Sequence, residues 1–219
     1  IDGKYCVGNA NDLYMENKCQ RVPMMFGHTP TEFPDRPRVQ TMEELRAFAH
    51  EAYGDDAAEF LKLCSSSIGS ITETLHKATV SHLEYAIRLL GKAKKRTGDK
   101  TPMYYWCFNP EIPGWDNPGA FHSSDLWFFF ETLAKCWRPF VGKHYDLARL
   151  MCNYWSNFIR SGNPNGLDAD GSDMPFWKPF ADEDPCRIMF CDKVYLSDKE
   201  PDKLMKFLIG QYLKKHLKG

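Results

Sequence analysis

Two short apolar runs constrain this chain most. Residues 22–27 (VPMMFG) and 102–108 (PMYYWCF) have the composition of strands buried in a sheet, and both run straight into loops broken by proline and glycine, HTPTEFPDRP and NPEIPGWDNPGAFH. Proline fixes φ and lacks an N–H, so neither loop can continue a regular element. The stretch between the runs is helical in pattern. Thr41 and Glu44 in T-M-E-E form a capping box, and Met42, Leu45, Phe48, Ala49 and Ala52 come after it at helical spacing. Further helices are expected over 57–64 and 77–95, the second with Val80, Leu83, Ile87 and Leu90 on one face. Strand, irregular loop and helices, then the same again, is the rhythm of an α/β fold with a mainly parallel sheet and helical crossovers, here with a helical insertion over about 41–98.

The remainder fits that scheme. Leu147, Leu150, Met151, Tyr154, Trp155, Phe158 and Ile159 make an amphipathic helix that ends at Ser161-Gly162. MPFWKPF is expected to form an extended edge segment, CRIMFCDKVYL a strand, and 201–217 a last helix with Leu204, Phe207, Leu208 and Tyr212 on its core face. No repeat, low-complexity tract or linker divides the chain. In parallel sheets chemistry gathers in the loops beyond the carboxyl ends of the strands, and here those loops hold Glu32 and His122.

Composition narrows the function classes. With 219 residues, 43% of them hydrophobic, the chain can bury a sizeable core. The 28 basic and 29 acidic residues leave no excess of charge to draw nucleic acid or an anionic membrane, and no apolar stretch approaches the ~20 residues of a bilayer span. The eight cysteines show no CxxC pair or zinc-ligand spacing. Cys107, Cys136, Cys152 and Cys191 lie in apolar runs and read as buried reduced thiols, which suits a cytoplasmic location. His28, His50, His76, His82, His144 and His216 have no metal-site spacing, and DADGSD lacks the ligand order of a calcium loop, so neither metal nor cofactor is expected. The chain opens on Ile1 without a signal-peptide pattern and reads as a fragment.

The succession VPMMFGHTPTEF, YYWCFNP, GAFHSSDLWF, YWSNFIRSGNPNG and MPFWKPF resembles the carboxyl-terminal portion of the type-B carboxylesterases, a family of α/β-hydrolases that includes para-nitrobenzyl esterases and cholinesterases. The resemblance covers nearly the whole chain and implies a Ser-His-Glu triad. Its acid, in a G-x-x-x-x-E pattern after a strand, matches Glu32 after Gly27, and its base, in G-A-x-H, matches His122 after Gly119. The chain departs from the family at Phe33 and Ser123, both positions where glycine is common, and these changes are expected to alter the pocket wall more than the chemistry. No serine here has glycine at both −2 and +2, and the oxyanion-hole glycine motif is missing too. The resemblance therefore implies a partner: the amino-terminal part of the same enzyme, bearing the serine. Without it the chain is expected to be inactive, and to dimerise or to associate with that part.

In such a site a neutral imidazole takes the serine proton and returns it to the leaving alcohol, while a carboxylate on the other ring nitrogen fixes the tautomer. His122 and Glu32 fill those roles, with Asp35 the other local candidate acid. The substrate is expected to be a small uncharged or aromatic ester, with Phe33, Trp115 and Phe121 in its pocket and His28 bordering the site. Asp125 is expected to cap the next helix or to interact favourably with its dipole, and Trp127 to Phe130 to fill the core. The competing reading is a non-catalytic cholinesterase-like binding or adhesion module, which retention of Glu32 and His122 disfavours.

Overall fold

The computed structural model describes residues 1–67 and 69–216. Its helices are α1 (Ala10–Met15), α2 (Met42–Tyr53), α3 (Ala57–Cys64), α4 (Ile71–Lys77), α5 (His82–Thr97), α6 (Leu126–Phe129), α7 (Gly142–Ser161) and α8 (Lys203–His216). Its strands are β1 (Met24–His28), β2 (Pro34–Asp35), β3 (Val80–Ser81), β4 (Met103–Phe108), β5 (Arg187–Phe190) and β6 (Tyr195–Ser197). These elements form two compact units, Ile1–Glu32 with Leu90–Lys199, and Phe33–Leu89 with Glu200–Gly219, so that one boundary falls within α5.

The first unit is built on a four-stranded sheet in the order β1-β4-β5-β6. The first three strands are parallel and β6 is antiparallel. Every residue of β4 is buried, as its continuous apolar sequence requires. On this sheet an aromatic core forms from Tyr104, Trp106, Phe128, Tyr154, Trp177 and Phe190, each worth roughly 1.5–3 kcal/mol of burial. Gly27 of β1 lies directly opposite Trp106 of β4. A Cβ at residue 27 would stand 1.8 Å from the Trp106 indole, so β1 reaches this position only because glycine has no side chain.

CRIMFCDKVYL does not form one strand. It folds as β5, a turn and β6, because the polar Asp192-Lys193 pair interrupts the alternation and Asp192 is held by Lys143 at 2.7 Å. MPFWKPF forms no strand; its backbone joins the sheet through the Phe180 N–H donating to the Met103 carbonyl at 2.7 Å.

The second unit is mainly helical, with Leu45, Ala49, Phe60, Cys64 and Phe207 at its centre. At the start of α2, Thr41 Oγ1 accepts from the Glu44 N–H at 3.1 Å, and Glu44 Oε2 accepts from the Gln40 N–H at 2.7 Å. The helix expected over 77–95 is broken. α4 ends at Lys77, Val80 and Ser81 pair with Pro34 and Asp35, and Ser81 Oγ then accepts from the Glu84 N–H at 3.2 Å near the start of α5. The apolar period runs through this break, but the β-branched Thr79-Val80 pair favours extended backbone, and Ser81 supplies the side-chain acceptor for the first turn of α5. The last helix is α8, and Leu217, expected at its end, lies outside the described residues.

All eight cysteines are free thiols. Of the four expected to be buried, only Cys107 is; Cys136, Cys152 and Cys191 are half-buried, because an apolar run does not say which of its faces turns inward. Cys64 and Cys186 are buried instead, and desolvation pushes both thiols up to about 11, which keeps them protonated and unreactive. No described helix is long and apolar enough to cross a membrane, and no described group of three or more His, Cys, Asp or Glu side chains is placed to hold a metal ion.

Candidate active site

β1 and β4 run side by side in the same direction, so the loops after them leave the sheet at the same end. Glu32 comes from the first loop and His122 from the second. The Glu32 side chain is 8% exposed; Oε1 accepts from the Thr29 N–H at 2.8 Å, and Oε2 lies 2.7 Å from His122 Nδ1. Thr31 Oγ1 donates to the Ala120 carbonyl at 3.0 Å and ties the two loops together just before each functional side chain. A carboxylate can only accept here, so the proton lies on Nδ1 and Nε2 is the basic nitrogen of the ring. The His122 side chain is 62% exposed, so this held imidazole is open on one side. Asp35, the other candidate acid, is exposed on β2 and lies 4.0 Å from His82 instead.

The two positions where the resemblance leads one to expect glycine have a backbone meaning. Phe33 has φ +46° and Ser123 has φ +69°, the left-handed region that glycine occupies without strain. A side chain there costs about 1–2 kcal/mol, partly offset because glycine loses more entropy on folding. Ser123→Gly is thus expected to stabilise the protein by about 0.5–1 kcal/mol, read as a higher urea midpoint at unchanged slope. An unchanged or lower midpoint would mean that the serine side chain compensates for its own strain.

Other expected site residues take different places. Phe33 is 54% and Trp115 90% exposed, while the half-buried Phe121 ring packs on Trp127, with the Arg138 guanidinium 5.5 Å from its centre. Phe128 and Phe129 fill the core as expected and Trp127 packs against it, but Phe130 is exposed, because α6 is one short turn that ends at Phe129 and Phe130 follows it as the C-cap. Asp125 stands at the start of α6 without a side-chain cap bond, since its backbone is already helical rather than extended. Its carboxyl is pushed up by burial and further by the charge of Glu32, with His122 opposing; the sequence offered only its place three residues after the histidine. His28 does not border the open site but is 3% exposed, between Thr29 and Tyr105. Asp168 in DADGSD holds Arg149 and Asn153 and closes a polar turn.

Comparison with known proteins bears on the family and the fold. The model of the carboxylesterase family matches residues 37–197, a span that takes in His122 and begins at the last residue of the loop that carries Glu32. Human cocaine esterase is 30% identical over 92 residues, covering 39% of this chain and 15% of that protein. Among solved structures, a thermophilic PNB esterase superposes with a TM-score of 0.64 at 19% identity, over 90% of this chain and 40% of the other. Another PNB esterase gives 0.62 at 17% identity, over 91% and 40%. An esterase from Clostridium hathewayi, described as hydrolysing aliphatic aromatic polyesters, gives 0.52 at 18% identity, over 88% and 38%. The chain thus spans about 40% of the length of the solved PNB esterases it matches. The sheet is the corresponding part of the α/β-hydrolase fold, and by the family match over most of its length this chain belongs to the carboxylesterase family.

Proposed function

We propose that this chain carries the base and the acid of a Ser-His-Glu triad for carboxylic ester hydrolysis, and that polypeptide outside these residues contributes the serine and the oxyanion hole. The observation that carries this reading is the 2.7 Å contact between His122 Nδ1 and a buried Glu32, at the carboxyl ends of two adjacent parallel strands. In the first half-reaction His122 Nε2 takes the proton as the serine oxygen bonds to the ester carbonyl carbon. The imidazolium then gives that proton to the departing alcohol oxygen as the C–O bond breaks. Water repeats the sequence on the acyl-enzyme: His122 takes its proton and returns it to the serine as the acid leaves. Glu32 holds the ring orientation and stabilises the imidazolium throughout. The exposed His122 imidazole would meet a small uncharged or aromatic ester, and this chemistry requires no metal or organic cofactor.

A para-nitrophenyl ester series tests the reading, with this chain alone and with the rest of its enzyme supplied. Hydrolysis is expected only in the supplied form. A folded, assembled form without activity on any ester would overturn the proposal.

A further inference from the structure

Behind Glu32 a chain of polar groups crosses three strands, from a half-buried Arg187 to the buried Tyr105 and His28. Arg187 on β5 donates from Nη1 to Tyr105 Oη at 3.1 Å, and Tyr105 on β4 lies 2.8 Å from His28 Nε2 at the end of β1. His28 Nδ1 is 2.9 Å from the Thr29 carbonyl oxygen. Tyr105 and Thr29 are fully buried and His28 nearly so. A carbonyl can only accept, so Nδ1 carries the His28 proton; Nε2 then accepts from the Tyr105 hydroxyl, whose oxygen takes the Arg187 donor. Each group thus fixes the direction of the next. The Thr29 carbonyl also accepts from the Glu32 N–H at 3.4 Å, and the Thr29 N–H holds Glu32 Oε1 at 2.8 Å. Thr29 is therefore the backbone residue on which Glu32 is mounted, and its carbonyl is pinned from below by His28.

We infer that His28 is a positioning residue for the catalytic acid: the Arg187–Tyr105–His28 chain fixes the Thr29 backbone, and through it aims Glu32 at His122. The loop HTPTEFPDRP needs such a device because its prolines deny it regular backbone hydrogen bonds, and a misplacement of about 1 Å in a triad costs on the order of a hundredfold in rate. This inference rests on the triad reading above.

The test compares Tyr105→Phe, His28→Phe and His28→Asn in the completed enzyme. Tyr105→Phe keeps the ring and removes the hydroxyl. His28→Phe removes both nitrogens. His28→Asn keeps a short amide donor where Nδ1 now meets the carbonyl. Tyr105→Phe is expected to lower kcat about tenfold and His28→Phe about a hundredfold with KM little changed, and His28→Asn to recover most of the latter loss. A second readout is the proton resonance of His122 Nδ1–H, expected to be sharp in the unsubstituted protein and to broaden or vanish in His28→Phe and Tyr105→Phe. Folded variants that keep both kcat and this resonance would overturn the inference and leave His28 a packing residue. Should His28→Phe not fold, Tyr105→Phe decides by the same two readouts. If the unsubstituted protein hydrolyses no ester and its His122 resonance still depends on His28, the hydrolytic reading falls while the positioning of Glu32 stands.

Discussion

His122→Ala is expected to lower kcat for para-nitrophenyl ester hydrolysis by the completed enzyme on the order of a million-fold, with KM changing little. The magnitude comes from how a triad works. Its members act as a unit, and without the base the serine proton has no acceptor within reach, so only the oxyanion hole and substrate binding still act on the transition state. Glu32→Gln should be milder, about ten-thousand-fold, because a neutral amide keeps the shape but favours the wrong ring tautomer and no longer stabilises the imidazolium. The pair of values matters more than either alone. If His122→Ala retained more than about a tenth of the rate, the base would lie elsewhere and the 2.7 Å contact would be a structural ion pair. If Glu32→Gln were silent while Asp35→Asn abolished activity, the acid would be misassigned.

The parts of this site that could be read in advance were those where one residue carries the physical demand. Glu32 and His122 come after strands marked by short apolar runs, and the prolines after each run place the loops; β4 is buried throughout as such a run suggests, whereas β1 is buried only at Met24 and His28 and half-buried between them. The Thr41 and Glu44 pair starts α2 because a side-chain oxygen three residues from a free N–H is a local arrangement, independent of the rest of the chain. Where two nearby signals compete, the sequence is ambiguous. Val80 fits the apolar face of a helix and also a two-residue strand, and only its pairing partner Asp35, 45 positions away, decides for the strand. His28 is the same kind of case. In the sequence it is a histidine in the Glu32 loop; its burial depends on Tyr105 and Arg187, which join it only once β1, β4 and β5 are aligned. The left-handed backbone at Ser123 was hidden for the opposite reason, since serine occupies a conformation that glycine would have advertised.

Gly27→Ala is expected to destabilise the first unit by about 3–5 kcal/mol, near the top of what a single methyl can do. The added Cβ would meet Trp106 ring atoms at 1.8, 2.2 and 2.4 Å, so the contact cannot be accommodated without movement. The indole has little freedom to give way, since Phe129, Trp155 and Phe190 surround it with ring centres 5.2, 5.7 and 6.4 Å away. The alternative is for β1 to separate from β4, which would break the parallel ladder and carry His28, Thr29 and Glu32 away from His122. Loss of stability and loss of activity should therefore appear together, unlike at His122, where only activity falls. Urea unfolding of Gly27→Ala, Trp106→Phe and the double variant separates the causes. A smaller ring should relieve part of the clash, so the double variant should be more stable than the sum of the single losses predicts, with a coupling of about 0.5–3 kcal/mol. Strict additivity would show that the glycine is needed for its own backbone and not for the indole. In that case the spacing from Gly27 to Glu32 would reflect only the path of the loop, rather than a strand pressed against its neighbour so that the acid emerges at the right height.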